Sequence, residues 1–474
     1  MRGFLATSVG VTCAAALALP LALPAPAQAG APARTSEPAA PGSTQSLPLV
    51  PLAGTRALGS TAAEQGLSRR DVRSFSLVGV VWDNPDSELH GRVQVRTRAA
   101  GTTHWSGWQD VETHYSDDAA DLDSAERTSG RVRGATAPLW VGASDGVEVR
   151  VQAALEAGDE RTGVTADSPL PRGMHLELVD PGADPVSAPA GHAEALRAEP
   201  ASGASAVSGV SAAVSTGAAA ALTAETVDAS AANAGLAPLG ATEIPALTKQ
   251  QTERDPATRE LPSVQDGERR LQPYIGPRPR IITRRGWGAD ERLRERGFVY
   301  TKKVKAAFVH HTASGNKYSC SQAPSVIRSI YRYHVESSGW RDIGYNFLVD
   351  KCGNIYEGRA GGVAKPVMGA HTLGFNTNSM GIAVLGTYGS TKPTRAALKA
   401  IARLTAWKLG LYGANPRGKT YLKSGGGNLY RKGKNVRLNV ISGHRDGFAT
   451  ECPGRLLYGK LGTARTTAAR YQGR

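Results

Sequence analysis

Between residues 72 and 181 the apolar positions recur every second residue. Phe75, Leu77, Gly79 and Val81 mark one run, and Val93, Val95 and Thr97 alternate with Gln94, Arg96 and Arg98. Val147, Val149 and Val151 alternate with Glu148 and Arg150 after the turn pair Asp145-Gly146, and Met174, Leu176 and Leu178 alternate with His175 and Glu177. A period of two buries one face of each run, so residues 71–181 are predicted to form a small all-β, antiparallel domain, arranged as a sandwich. Trp82, Trp105, Trp108 and Trp140 fall within it; packing is the expectation for them, ahead of a sugar-stacking platform, because aromatics dominate small cores. The acidic run Asp117, Asp118, Asp121, Asp123 matches no calcium-loop spacing and reads as a solvated loop.

The pattern changes beyond residue 280, where strands and helices alternate. Short apolar runs at 305–310, 344–350, 353–357, 380–385 and 436–441 predict buried strands. Residues 324–335 carry Val326, Ile327, Ile330 and Tyr331 at helical spacing, and 394–409 place Leu398, Ile401, Thr405 and Leu409 on one face behind a cap at Thr394. A short helix follows from about Arg455. The expected fold of residues 276–474 is α/β, a mixed central β-sheet flanked by helices. Residues 182–275 are dominated by Ala, Ser and Pro without sustained period, and read as a linker separating two independent halves. Residues 30–70 read as a disordered leader. Residues 1–29 have an early basic residue, an apolar stretch and Ala27-Gln28-Ala29, the order of a signal peptide cleaved after Ala29. Pro20, Pro24 and Pro26 interrupt that stretch, and no later run reaches the roughly 18 apolar residues a spanning helix needs. The expected product is secreted and cell-wall associated, a monomer without a membrane anchor.

Charge adds a partner class. Residues 281–474 hold 33 Lys and Arg against 9 Asp and Glu, whereas the remainder is net acidic. A basic half attracts polyanions. No aromatic-basic recognition motif supports nucleic acid, and for an exported chain the expected polyanions are those of a cell envelope. Of four cysteines, Cys13 leaves with the signal, so Cys320, Cys352 and Cys452 remain. An odd thiol in an exported protein invites a use such as metal binding.

Two places bring metal-type donors to strand ends. One is His310-His311 after a buried strand; the other is His444, followed by Cys452-Pro453, after the last strand. Two histidines and a thiolate are good zinc donors, and three protein ligands with one open position is the arrangement of catalytic zinc. Spacing alone leaves open the plainer alternative, histidines that are partly buried hydrogen-bonders.

The stretches RRGWGA (284–289), FVHHTAS (308–314), YRYHVESSGWRDIGYNFLVDKCGNIYEGRAGG (331–362), GAHTLGFNTNSMGIAVLGTY (369–388) and SGHRDGFATECPGRLLY (442–458) extend the pattern. With them, residues 280–460 closely resemble the peptidoglycan recognition protein family, the type-2 N-acetylmuramoyl-L-alanine amidases that include phage amidase-lysozymes. The N-terminal half lies outside the resemblance, and its pairing with such a unit looks like an arrangement of actinobacterial secreted proteins. The resemblance implies Zn2+ as cofactor on His310, His444 and Cys452, with His311 in support. It implies Tyr345 and Thr450 as catalytic positions, Thr450 standing where some phage members have Lys. By analogy the substrate groove comprises His334, Trp340, Arg359, His371 and Asn376. The implied reaction is hydrolysis of the lactyl amide between N-acetylmuramic acid and L-alanine, with peptidoglycan or muropeptides as partners and anionic wall polymers as a further one. A non-catalytic peptidoglycan-binding module is the alternative; members of that kind typically lose ligands, and all three are present here. Cys320 and Cys352 are expected to form a disulfide, which departs from the shorter loop of the animal pattern.

Overall fold

The computed structural model describes residues 42–52, 64–113, 117–154, 170–184, 222–259 and 274–474. The alternating runs become one eight-stranded sheet. Its main path runs Ser43–Pro48, His175–Asp180, Glu64–Trp82, Leu139–Ala153, Gly91–Ala99 and Gln109–Val111, every neighbour antiparallel. The 19-residue strand Glu64–Trp82 carries register shifts between Leu67 and Arg70 and between Asp71 and Leu77. Such bulges bend a strand, which lets one strand serve both ends of the sheet around a core of Phe75, Val78, Val93, Val95, Val149 and Leu178. Trp82 and Trp140 are buried as expected. Trp105 and Trp108 instead lie half-buried beneath arginines, with Arg150 4.3 Å and Arg96 4.7 Å from the Trp108 ring centre.

The C-terminal half is a seven-stranded mixed sheet in the order Ile441–Gly443, Ala306–His311, Ser379–Val384, Phe347–Val349, Ile355–Glu357, Ile281–Ile282 and Glu243–Ile244. Ala306–His311 is parallel to both its neighbours, which explains its apolar run: a strand covered on both faces needs no polar alternation. Helices Arg395–Gly410 and Leu461–Gln472 cover one face through Ile401, Leu404, Trp407 and Ala468. Thr394 caps the first of these, its hydroxyl accepting from the Ala397 N–H. Helix Ala323–Arg332 covers the other face, continuing into a wider turn Tyr333–Ser337. Cys320 and Cys352 are joined, and Cys452 is free and buried.

Several expected boundaries need correction. Ser43–Pro48 and the start of Glu64–Trp82 lie in the span read as leader, yet both are sheet strands. The span read as linker contains helices Ala224–Ala231 and Lys249–Arg254, both capped by threonine, and strand Glu243–Ile244 at the edge of the C-terminal sheet. Low-complexity composition hid these short elements because caps and one edge pairing carry them, not apolar period. Residues 30–41, 53–63, 185–221 and 260–273 of the leader and linker, and all of 1–29, lie outside the described residues.

The two halves are also not independent. Leu77, Val81, Val132, Trp140 and Val179 of the β domain share a single apolar cluster with Ile330, Tyr333, Trp340 and Tyr345. Tyr333 donates its hydroxyl to the Thr136 carbonyl at 3.0 Å, and Arg133 N–H bonds to the Ser338 carbonyl at 3.0 Å. Contacts unite the described residues into one compact unit. No described helix is long and apolar enough to cross a membrane.

Candidate metal centre and groove

Pleating decides which side chains of Ala306–His311 meet. Ala307, Val309 and His311 face the helix-covered core, while Phe308 and His310 point to the opposite side. Val309 pairs with Gly443 across parallel strands, so the next residues, His310 and His444, leave the sheet at the same edge. Their ring centres are 4.5 Å apart. The chain then loops out and returns, and the Arg445 N–H bonds the Cys452 carbonyl at 3.0 Å. Asp446 fastens this loop by accepting from the Gly443 N–H and the Tyr458 hydroxyl at 2.9 and 2.6 Å. Cys452 Sγ thereby lies 3.7 Å from His310 Nδ1, and one donor atom from each of His310, His444 and Cys452 falls within 4.8 Å of the others.

A fourth group comes from the N-terminal domain. Asp118 Oδ1 lies 3.0 Å from His310 Nδ1 and 3.2 Å from His444 Nδ1, and its Oδ2 accepts the Tyr345 hydroxyl at 2.8 Å. The Oδ1 approaches are not directed hydrogen bonds. Asp118 Oδ1 and both His444 nitrogens are buried without a hydrogen-bond partner among the described residues. Buried polar atoms left in that state are uncommon and expensive. A bound cation accounts for Asp118 Oδ1 and one of the two His444 nitrogens: donors 2.0–2.3 Å from one tetrahedral centre lie roughly 3.3–3.6 Å apart, close to the 3.0, 3.2 and 3.7 Å found. The donor chemistry and spacing therefore fit zinc.

The local electrostatics follow from burial beside acids. Burial pushes the His310 imidazole down to about 4, with Asp118 opposing. His444 is also buried, but Asp117 and Asp118 outweigh that and raise it. Burial alone would raise the Asp118 carboxyl, yet His310 and His444 together hold it well below the usual range. Burial raises Asp117 to about 6 and pushes the Cys452 thiol far up. A thiol so placed becomes a thiolate only beside a compensating cation.

The remaining expected site residues gather around this point. Thr450, half-buried, accepts from the Cys452 N–H at 3.1 Å. His371 stacks edge-on against His310 at 5.2 Å, in space that a Cβ at Gly381 would occupy. His334 lies behind Tyr345, its Nδ1 accepting the Gly344 N–H at 3.1 Å, with Trp340 4.4 Å from its ring. His311 turns away: its Nδ1 accepts from Tyr388 N–H at 3.3 Å, and Nε2 is 3.7 Å from Glu112. Arg359 grips Glu126 with two bonds of 2.8 and 2.9 Å. Asn376 gives its amide to Asp121 and the Ala119 carbonyl, each at 2.8 Å.

The acidic run is thus the principal correction. Asp117 and Asp118 are buried against the histidines, not solvated. Sequence reasoning tested the run for calcium spacing; the usable signal was its charge, opposite to that of the half it docks on.

Three buried metal-type donors thus meet at the parallel edge of a mixed α/β sheet. Family models match residues 300–455 as N-acetylmuramoyl-L-alanine amidase and residues 26–172 as Rv3811 N-terminal galactose-binding domain-like. Peptidoglycan-recognition protein SC2 of Drosophila melanogaster is 35% identical over 185 residues, 39% of this chain and 85% of that protein. The N-acetylmuramoyl-L-alanine amidase of Homo sapiens is 32% identical over 187 residues, 39% of this chain and 28% of that protein. The solved Drosophila PGRP-LB structure aligns over 39% of this chain and 92% of its own, at 25% identity and a TM-score of 0.31. The chain belongs to the peptidoglycan recognition protein and type-2 N-acetylmuramoyl-L-alanine amidase family.

Proposed function

We propose that the chain is an exported zinc amidase that hydrolyses the lactyl amide joining N-acetylmuramic acid to L-alanine in peptidoglycan. The observation that carries this reading is the convergence of His310, His444 and Cys452 beside the Tyr345 hydroxyl. Bound zinc supplies a Lewis acid and an activated water. Around it, Tyr345 donates a hydrogen bond to a carboxylate oxygen of Asp118, and that oxygen marks where a developing oxyanion would be received. Thr450 offers a second hydroxyl nearby. Arg359, Asn376 and Trp340 are assigned to the substrate groove, and His334 and His371 hold Tyr345 and His310 from behind. Export rests on the pattern of residues 1–29, and peptidoglycan as substrate rests on the family.

The test is the product. Prolonged digestion of purified walls and soluble muropeptide is expected to release L-alanine amino termini in step with solubilisation, without new reducing sugar ends. Chelation should stop the reaction and zinc restore it. New reducing ends would mean glycosidase chemistry and sink the reading; tight muropeptide binding with no cleavage under any zinc loading would leave only a binding module.

A further inference from the structure

Three polar groups that the amidase reading uses, Tyr345, Arg359 and Asn376, are already engaged, and by one segment. Residues 117–126 contain five acids and no base. Asp118 faces His310, His444 and Tyr345. Asp121 accepts from Gly374 N–H and the Asn376 amide, each at 2.8 Å. Glu126 takes both arms of Arg359 and the Arg341 N–H. Backbone joins in: the Leu373 N–H donates to the Asp117 carbonyl at 2.9 Å. The segment therefore lies across the groove as an acidic ligand would, one carboxylate on the metal donors and another on the groove arginine. What stays open beside Arg359, between Glu126 and Phe298, is a recess of about 120 Å³, against roughly 300–1,000 Å³ for sites that enclose a ligand.

Resting on the amidase reading of this site, we infer that residues 117–126 are a built-in occupant of the groove. Asp118 closes the fourth position of the metal, so the chain is held in a latent form. Two independent observations meet here. The first is the fully buried Asp118, whose Oδ1 lies 3.0 and 3.2 Å from the Nδ1 atoms of His310 and His444 and makes no directed hydrogen bond to either. The second is the run of carboxylates on groove donors, Asp121 on Asn376 and Glu126 on Arg359, continued at the surface by Asp123 and Lys432. A catalytic zinc keeps one position open for water or substrate, whereas four protein donors make a closed site. Turnover then requires the segment to leave, and a peptidoglycan strand carrying its own carboxylates competes for Arg359 and Asn376.

The experiment uses the full chain loaded with cobalt in place of zinc. In the wild type, millimolar azide is expected to leave the visible cobalt bands unchanged, because no exchangeable position exists. In Asp118→Ala the bands should shift with azide. Separately, a soluble disaccharide-tetrapeptide should bind the Asp121→Asn/Glu126→Gln variant at least tenfold more tightly than the wild type by calorimetry. Azide-sensitive bands in the wild type, a measurement that needs no mutant to fold, would overturn Asp118 as a donor. Equal muropeptide affinity in wild type and the double variant would overturn the occupied groove. Neither readout needs turnover, so a protein that meets both expectations yet never cleaves would sink the amidase reading and leave this one standing.

Discussion

Cys452 and Tyr345 sit within one contact shell yet carry separable jobs, and single substitutions divide them. Cys452→Ala removes the one sulfur donor, leaving His310 and His444 from the C-terminal half; zinc measured after dialysis should fall with turnover. Tyr345→Phe deletes a hydroxyl and no donor, so zinc stays. Its rate should drop about 10²–10³-fold, the usual cost of losing one oxyanion donor. A Cys452→Ala protein with full zinc and full rate would remove Cys452 from the centre. At this scale His310, His444 and Cys452 were legible because His310 lies near the end of one strand, His444 directly follows another and Cys452 closes the loop after it, and the family resemblance singled out these three. Asp118 was not. It reaches the centre only through the docking of another domain, and the acidic run around it signals a basic partner without pointing to the histidines.

Helix Ala323–Arg332 with its turn Tyr333–Ser337 is the element on which the two halves meet, and Gly79 shows how tightly. A Cβ built at Gly79 would lie 2.3 Å from the Tyr333 hydroxyl and 2.5 Å from its ring. Strand and turn are both fixed by their own hydrogen bonds, so the ring cannot simply swing aside. Gly79→Ala should cost about 1–3 kcal/mol, the range for overpacking a filled core, seen as a lowered urea midpoint. Combining it with Tyr333→Leu should recover part of that loss, the non-additivity expected of touching residues. Additive effects would mean the faces do not meet as described. The helix itself was readable from Val326, Ile327 and Ile330, all of which are buried. Its partner was not, since an apolar stripe says that a face is covered and not by what. The disulfide acts on the same element by tying the turn before the helix to the turn at Cys352. Closing a span of 32 residues stabilises by roughly 3–4 kcal/mol in the loop-entropy account, so Cys320→Ala/Cys352→Ala should show a loss of that order at equilibrium in urea. An unchanged midpoint would contradict it.

Across the whole molecule the uneven charge has two destinations. Part is paired within the molecule: Glu126 meets the Arg359 guanidinium and Asp123 the Lys432 ammonium, where the net acidic half docks on the strongly basic one. The rest stays in solvent, concentrated on the two-stranded ribbon Lys419–Lys423 and Asn435–Asn439. Arg417, Lys419, Lys423, Arg431, Lys434 and Arg437 are exposed there, with no acid between residues 417 and 437. So many like charges on one projecting ribbon repel each other, and a polyanion relieves them. The expected polyanions are the anionic polymers of a bacterial wall, and the attraction must weaken as salt shortens the Debye length from about 30 Å at 0.01 M to about 8 Å at 0.15 M. Lys419→Gln/Lys423→Gln/Arg437→Gln should therefore adsorb several-fold less to intact walls at low salt, with a flatter salt dependence, while its cleavage of small soluble muropeptide is unchanged. Walls stripped of anionic polymers should bind wild type and triple variant alike. If stripped walls still discriminate between the two proteins, the ribbon contacts the peptidoglycan itself; if intact walls do not discriminate, the exposed charge has some other partner.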